Sequence, residues 1–372
     1  MPRFAPKSAY ATALRARGAA VIAASPTGRY ANLDQWLRGF AALGALIGVY
    51  AAVLLLPPTV GSYALAVAAG VLTYIAQATF CHDASHYSLS RSRTVNDIAV
   101  SVGFAITGVS GALWARRHIH THHMFPNVAG TDIDADSTSM VRLTPHKAWR
   151  PWHRYQAYYA PVLYLFVLAH LAFYEDFLHL RDARRDAPHR FRTWSALAEF
   201  AAAKLFHIAV AIAIPLSLID ASATNILIGY ALASATTSAM FVVINIGTHI
   251  ADVASFVDPT KDGSIAHDWA THQAMTAVDW SPESHVAIAI TGGANSHAAH
   301  HLFPEAAHCH NAALSRVVAA TAREYAKPHH VLTFWGMVRS HMGQLIALSE
   351  PSVSAERGQG EAATIADLKR AA

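Results

Sequence analysis

The chain has 372 residues, of which 53% are hydrophobic and 14% charged, against about 25% charged in a soluble domain. Its mean hydropathy of +0.25 agrees with that excess and argues against an ordinary soluble protein. The net charge of +4 does not argue for nucleic acid, because the basic residues flank apolar segments, where anionic lipid is the simpler partner.

The N-terminal segment, residues 1–38, carries Arg3, Lys7, Arg15, Arg17, Arg29 and Arg38. A basic region of that length before the first apolar stretch is no secretory signal pattern. Between Arg38 and His82 there is no Asp, Glu, Lys or Arg, and a helix needs about 20 mostly apolar residues to cross a bilayer core. Pro57, Pro58 and Gly61 divide the interval, which predicts a helical hairpin over residues 40–56 and 63–81. Residues 98–113 and 157–174 are apolar but ambiguous in length. A second hairpin is predicted over 200–219 and 226–244, divided by "DASATN". Lys204, near the start of its helix, is expected to snorkel to the interface.

Arg181, Arg184, Arg185, Arg190 and Arg192 form a second basic segment, while the turns "PPTVGS" and "DASATN" contain no basic residue. The positive-inside rule puts both basic segments in the cytoplasm and both turns on the far side. Parity then requires the two ambiguous stretches either both to span or both to lie in the interface. Interfacial placement keeps residues 114–156, with their histidines and Arg116, Arg117 and Lys147, on the cytoplasmic side. The expectation is an all-α membrane protein with four transmembrane helices in two hairpins, interfacial helices and a cytoplasmic histidine-rich cap. Both termini fall on the cytoplasmic side. The membrane domain covers 39–345, and residues 346–372 form a polar tail expected to be disordered. Two cysteines, Cys81 and Cys309, both placed on the cytoplasmic side, are too few for a disulfide framework.

Three histidine clusters follow predicted spans: His82 and His86 in "HDASH", His118, His122 and His123 in "HIHTHH", and His297, His300 and His301 in "HAAHH". Helical residues three and four apart share a face, and on this topology all three clusters emerge at one membrane face. Taken singly, "HDASH" reads more readily as a helical pair without a metal, "HIHTHH" favours a metal over a surface run, and "HAAHH" is intermediate. Together, eight imidazoles would be a costly accumulation of cations if protonated and a poor core if neutral. A metal centre resolves both, since neutral imidazole ligates iron, zinc, copper or nickel. Eight ligands exceed one four-coordinate zinc, so two metal ions are the natural count. His120 is the odd member of its box.

The clusters, written HxxxH, HxxxHH and HxxHH, resemble the membrane fatty acid desaturase superfamily. "WARRHIHTHHMFPNVAGTDID" resembles its second box, and "GGANSHAAHHLFP" the third box of the front-end, linoleoyl-CoA desaturase-like branch. "WHRYQAYYAPVLY" resembles the run that follows the second box there. The resemblance covers roughly residues 35–345. It implies a non-haem centre of two iron ions that uses O2 and two electrons to remove two hydrogens from an acyl chain. Its ligands would be His82, His86, His118, His122, His123, His297, His300 and His301. "NIGTH" adds His249 as a ninth ligand and Asn245 through a water; the competing reading of His249 is a helix-end histidine capping carbonyls. Front-end members usually begin the third box with Gln, where this chain has His297, and follow the first histidine of the second box with Asn, where it has Ile119. Regiochemistry stays open. No HPGG haem motif of a fused cytochrome b5 domain occurs in the sequence. The expected partners are therefore a fatty acyl substrate, membrane lipid and a separate electron donor: a ferredoxin, a rubredoxin or cytochrome b5 with its reductase.

Asp83, Asp132, Asp134 and Asp136 are candidates to hold imidazole N–H groups, or solvated loop acids. Trp114, Arg116 and Arg117 are candidate substrate contacts, or interface anchors. His272, His308 and His310 receive no role, and His146 and His153 are expected on the polar surface. A hydroxylase or acetylenase would share these boxes. A metal transporter would place ionisable residues inside its spans, where only Lys204 and His207 occur. A zinc hydrolase needs a carboxylate base as in HExxH, which is absent.

Overall fold

The computed structural model describes residues 1–132 and 138–351. Asp134, Asp136 and residues 352–372 of the expected tail lie outside the described residues. The start of that tail is folded, with the last helix running to Ala347 and Leu348 buried. Helix α1 (Ala9–Ala24) starts where Ser8 accepts from the Ala11 amide. Helix α2 (Leu33–Leu55) starts where Asn32 accepts from Gln35 and stops ahead of the Pro57–Pro58 pair. Helix α3 (Gly61–Ser85) returns against it. After α4 (Arg93–Ala105), α5 (Gly111–Arg117), α6 (Gln156–Tyr164) and α7 (Val167–Asp186), a second hairpin is made by α8 (Trp194–Leu218) and α9 (Ala223–Ile246). Among the described residues these two hairpins supply the four helices long and apolar enough to cross a membrane.

Helices α2 and α8 are exposed along much of their length, with Leu37, Phe40, Ile47 and Leu55 on α2 and Leu205, Phe206 and Leu218 on α8 turned outward. Such surfaces suit lipid as the solvent. Helices α3 and α9 meet through small residues, where a Cβ at Gly70 would come within 2.5 Å of the Ala233 carbonyl and Thr237 donates to the Gly70 carbonyl at 3.0 Å. Close backbone approach of this kind is how helices associate when lipid supplies no hydrophobic drive.

The two stretches of ambiguous length are not straight spans. Helix α4 is amphipathic, burying Asn96, Val100 and Phe104 and exposing Val95, Ile98 and Val102. The segment of α6 and the 3-10 turn before it, Pro151–Tyr164, bends by 76° into α7; Tyr158, Val162, Phe166 and Phe173 are exposed around the bend.

Lys204 does not snorkel. It is buried and donates to Asp176 Oδ2 at 2.6 Å and to the Gly108 carbonyl at 2.5 Å. Asp176 also accepts from the Ser110 amide at 2.8 Å, and Glu199 accepts from Ser110 Oγ at 2.6 Å and from the Gly111 amide at 3.0 Å. A carboxylate within reach on α7 offsets desolvation of the ammonium, and the whole network pins the start of α5. His153 is likewise interior: its Nδ1 accepts from the Arg150 amide and its Nε2 donates to the Ser139 carbonyl, both at 3.0 Å. The His146 side chain is mostly buried beside Asp258.

The remaining chain folds over one end of the bundle as α10 (Trp269–Thr276), α11 (His285–Thr291), α12 (His297–Leu302), α13 (Asn311–Glu324) and α14 (Phe334–Ala347). Two short parallel pairs tie it down. Strand β1 (Arg3–Phe4) pairs with β2 (Ser264–Ile265), and β3 (Val278–Trp280) with β4 (His330–Leu332). Buried Asp279 joins the layers, accepting from the Ala298 amide at 2.7 Å, Ser315 Oγ at 2.6 Å and His329 Nε2 at 3.1 Å.

Candidate metal centre

Three of the segments that lead to the clustered histidines are π turns. Gln77–Cys81 delivers His82 at the end of α3, His118–His122 prolongs α5, and Val242–Ile246 precedes His249 at the end of α9. In an α-helix, residues five apart point about 140° apart. The π turn closes instead on the i+5 amide, the His123 N–H donating to the His118 carbonyl at 2.9 Å, and so turns His118 and His123 toward one point. Extra residues of this kind are frequent at functional sites.

The histidines form two groups, His82, His86, His118, His123 and His300 in one, and His122, His249, His297 and His301 in the other. Within each group the candidate donor atoms all lie within 4.8 Å of one another. Nε2–Nε2 separations are 2.9 Å for His82–His118 and His118–His123, 3.1 Å for His123–His300, 3.0 Å for His249–His301 and 2.8 Å for His249–His297. Two nitrogens at right angles around an ion, each at about 2.1 Å, would be about 3.0 Å apart. The spacing therefore fits cis ligands of a transition metal, one ion per group. His86 Nε2 is buried without a hydrogen-bond partner, as a ligand atom would be.

The outward nitrogens of the four-histidine group are held by the fold. His249 Nδ1 donates to the Thr276 carbonyl at 2.8 Å, His301 Nδ1 to Gln273 Oε1 at 2.9 Å, and His297 Nδ1 to the Ala294 carbonyl at 3.3 Å. His122 Nδ1 lies 3.4 Å from Asp132 Oδ1, and Asp132 is itself fixed by the Asn127 amide at 2.8 Å. Anchoring one ring nitrogen sets the tautomer and aims the other lone pair inward. In the five-histidine group, Asp83 Oδ1 stands 3.9 Å from His82 Nδ1, and Asp83 Oδ2 accepts from Gln35 Nε2 at 2.6 Å and the His308 amide at 2.8 Å. Burial, and then the neighbouring imidazoles, hold His86, His118, His123, His249, His297, His300 and His301 well below the ordinary histidine range. They are neutral at pH 7, the form that ligates.

Asn245 is beside this group. Its Nδ2 donates to the Phe241 carbonyl at 3.1 Å and to Tyr74 OH at 3.4 Å, and it lines a cavity of about 70 Å³ with His82, His118, His122, His249 and His297. Trp114 and Arg117 line the same cavity, and the Trp114 ring stacks on His118 at 4.4 Å and on Phe104 at 4.3 Å. Arg116 points away and pairs with Asp186 at 3.1 Å. His120 is exposed. Gln273, Thr276 and His308, which touch the clustered histidines, and Gln35, which holds Asp83, are contributions that motif spacing does not reveal, since each comes from a distant segment. His308 is buried against the His82 ring at 4.6 Å, and burial pushes it down to about 4. A second, apolar cavity of about 790 Å³ lies among the spans, walled by residues such as Leu46, Val102, Phe206 and Ala233.

The fatty acid desaturase family profile matches residues 58–333, the interval that contains every histidine of the two groups. An acyl-lipid (8-3)-desaturase of Mortierella alpina is 29% identical over 327 residues, covering 85% of this chain and 72% of that protein. A sn-1 linoleoyl-lipid 6-desaturase of Arthrospira platensis is 29% identical over 271 residues, covering 72% and 73%. Its namesake in Synechocystis is 26% identical over 275 residues, covering 73% and 76%. With the family pattern spanning most of the chain and histidines folded into a paired donor set at the end of an apolar bundle, the protein belongs to the fatty acid desaturase family.

Proposed function

We propose that this desaturase inserts a double bond into the acyl chain of a membrane lipid, using one iron in the five-histidine group, one in the four-histidine group, O2 and electrons from a separate carrier. The carrying observation is the division of nine buried or nearly buried imidazoles into two groups that face one small cavity. Two bound irons would supply the O2 chemistry that takes two hydrogens from an unactivated chain. The polypeptide supplies the rest. Thr276, Gln273 and Asp132 aim imidazoles, and Asn245 would hold a water beside the four-histidine group. Trp114, Phe104 and Phe241 give the cavity apolar walls that exclude bulk water and fix which carbon stands nearest the metals. Arg117 lies at the same cavity, suited to an ester or thioester oxygen.

The basic segments before α2 and around α7 support a topology with the histidine cap and both termini in the cytoplasm. A ferredoxin, a rubredoxin or cytochrome b5 with its reductase would reach the centre from that side. The test is iron per chain in protein purified in detergent from iron-replete cells, with product analysis of cellular lipids. Near two irons and a new double bond are expected. Zinc, or at most one metal in folded protein, sinks the di-iron reading; a hydroxylated product would retain the metals and replace the reaction.

A further inference from the structure

Away from the metals, a recess of about 230 Å³ lies between the segment that leads into α2 and the segment that leads into α4. Its walls are Arg29, Tyr30, Tyr87, Ser90, Arg91, Arg93 and Asn96, with no acidic side chain among them. The guanidinium carbons of Arg29 and Arg91 lie 5.1 and 5.5 Å from the same Tyr30 ring, and that of Arg93 lies 5.4 Å from the Tyr87 ring. Asp97 lies beside the rim, accepting from Tyr87 OH at 3.0 Å and 3.8 Å from Arg93 Nε. Each guanidinium is held by its contact with the phenol ring, and together they concentrate positive charge at this recess, where an anion would be favoured. A recess of this size leaves room for a phosphodiester and the groups on either side of it.

Two features fix the class of that anion. Below the recess run two apolar ridges, Leu33, Leu37 and Phe40 of α2 and Val95, Ile98 and Val102 of α4, all exposed. Ridges of this kind sink into acyl chains and leave the recess at head-group depth. The same two helices, through Leu46 and Ile47 of α2 and Val102 of α4, also wall the 790 Å³ cavity among the spans. A soluble anion would use the arginines but not the ridges. A phospholipid uses both.

We propose that Arg29, Arg91 and Arg93 bind the phosphodiester of a membrane phospholipid whose acyl chains lie along the exposed apolar faces of α2 and α4. Guanidinium forks match phosphate oxygens in pairs, which lysine cannot reproduce. This deepens the desaturase reading by naming a phosphate-bearing lipid as carrier; the binding itself needs no turnover.

The experiment measures phospholipid retained by the intact enzyme in detergent, by native mass spectrometry, while titrating phosphatidylglycerol. Diacylglycerol of the same chains and inorganic phosphate are the comparison probes. The double variant R91Q/R93Q should lose affinity for phosphatidylglycerol about tenfold, with iron content and thermal midpoint unchanged. R91K/R93K should fall between the two. Diacylglycerol should bind weakly and equally to all three. Equal phosphatidylglycerol binding by parent and R91Q/R93Q overturns the proposal, as does displacement of the lipid by equimolar inorganic phosphate. The inactive His122→Ala enzyme should bind phosphatidylglycerol like the parent, so that a failure of the lipid site and a failure of the desaturase reading are seen separately.

Discussion

At the scale of single residues, His122 and His120 are a controlled pair. His122 belongs to the four-histidine group, whereas His120, two positions earlier, is exposed. His122→Ala should reduce bound iron and lower activity by at least a hundredfold, while His120→Ala should retain most of both; metal analysis alongside product formation distinguishes them. Gln273 tests whether aiming matters as much as ligation. It accepts from His301 Nδ1 and donates to the His123 carbonyl at 3.0 Å, so it touches both groups. Gln273→Ala should weaken metal retention 10–100-fold, seen as faster iron loss to a chelator, with Gln273→Glu keeping the acceptor and restoring part of it. The box histidines could be read from the sequence because spacing and position after a span carry the signal. Gln273 could not, because its partnership with His301 exists only once α10 and α12 pack together.

At the scale of elements, the hairpins were legible, with their turns placed to within a few residues and the starts of α2 and α8 read six or seven residues late, since an uncharged interval divided by Pro57 and Pro58 leaves a helix few alternatives. What escaped was the interior polarity. Lys204 reads as a snorkelling residue until Asp176, 28 positions away, is seen beneath it. Removing one member of a buried pair strands the other, at a cost of about 3–5 kcal/mol. Lys204→Met should therefore lower the thermal midpoint and loosen α5, whereas Lys204→Met with Asp176→Leu should recover much of the loss; a double variant no more stable than the single one would refute the pairing argument. The π turns were equally invisible, because the HxxxHH spacing is compatible with an ordinary helix. Deleting Thr121 would convert the turn at His118–His122 toward α geometry and should empty both groups at once, measured as iron per chain.

For the whole molecule, the cap is a store of neutral imidazole, and acid acts on it with a defined sign. His272 is buried, donates through Nε2 to the Pro126 carbonyl at 2.9 Å, and burial pushes it down to about 3. Above about pH 6.5 it is neutral both folded and unfolded. Between that value and its depressed folded value the unfolded chain binds a proton that the folded chain does not, so stability falls with falling pH by up to about 1.4 kcal/mol per unit from this group alone. The thermal midpoint of metal-free protein should accordingly drop between pH 7 and 5, and His272→Gln should make that slope shallower.

The stacking of Trp114 on His118 at 4.4 Å also makes the site optically addressable. An indole held against a ligand of a paramagnetic ion loses its excited state to that ion before it can emit. Iron loading should dim the fluorescence of this one ring among the eight tryptophans, and the difference between the parent and Trp114→Phe would be a real-time readout of loading. The ring that walls the small cavity beside the histidines would thereby also be its indicator lamp, letting metal entry be followed in the intact enzyme without a label.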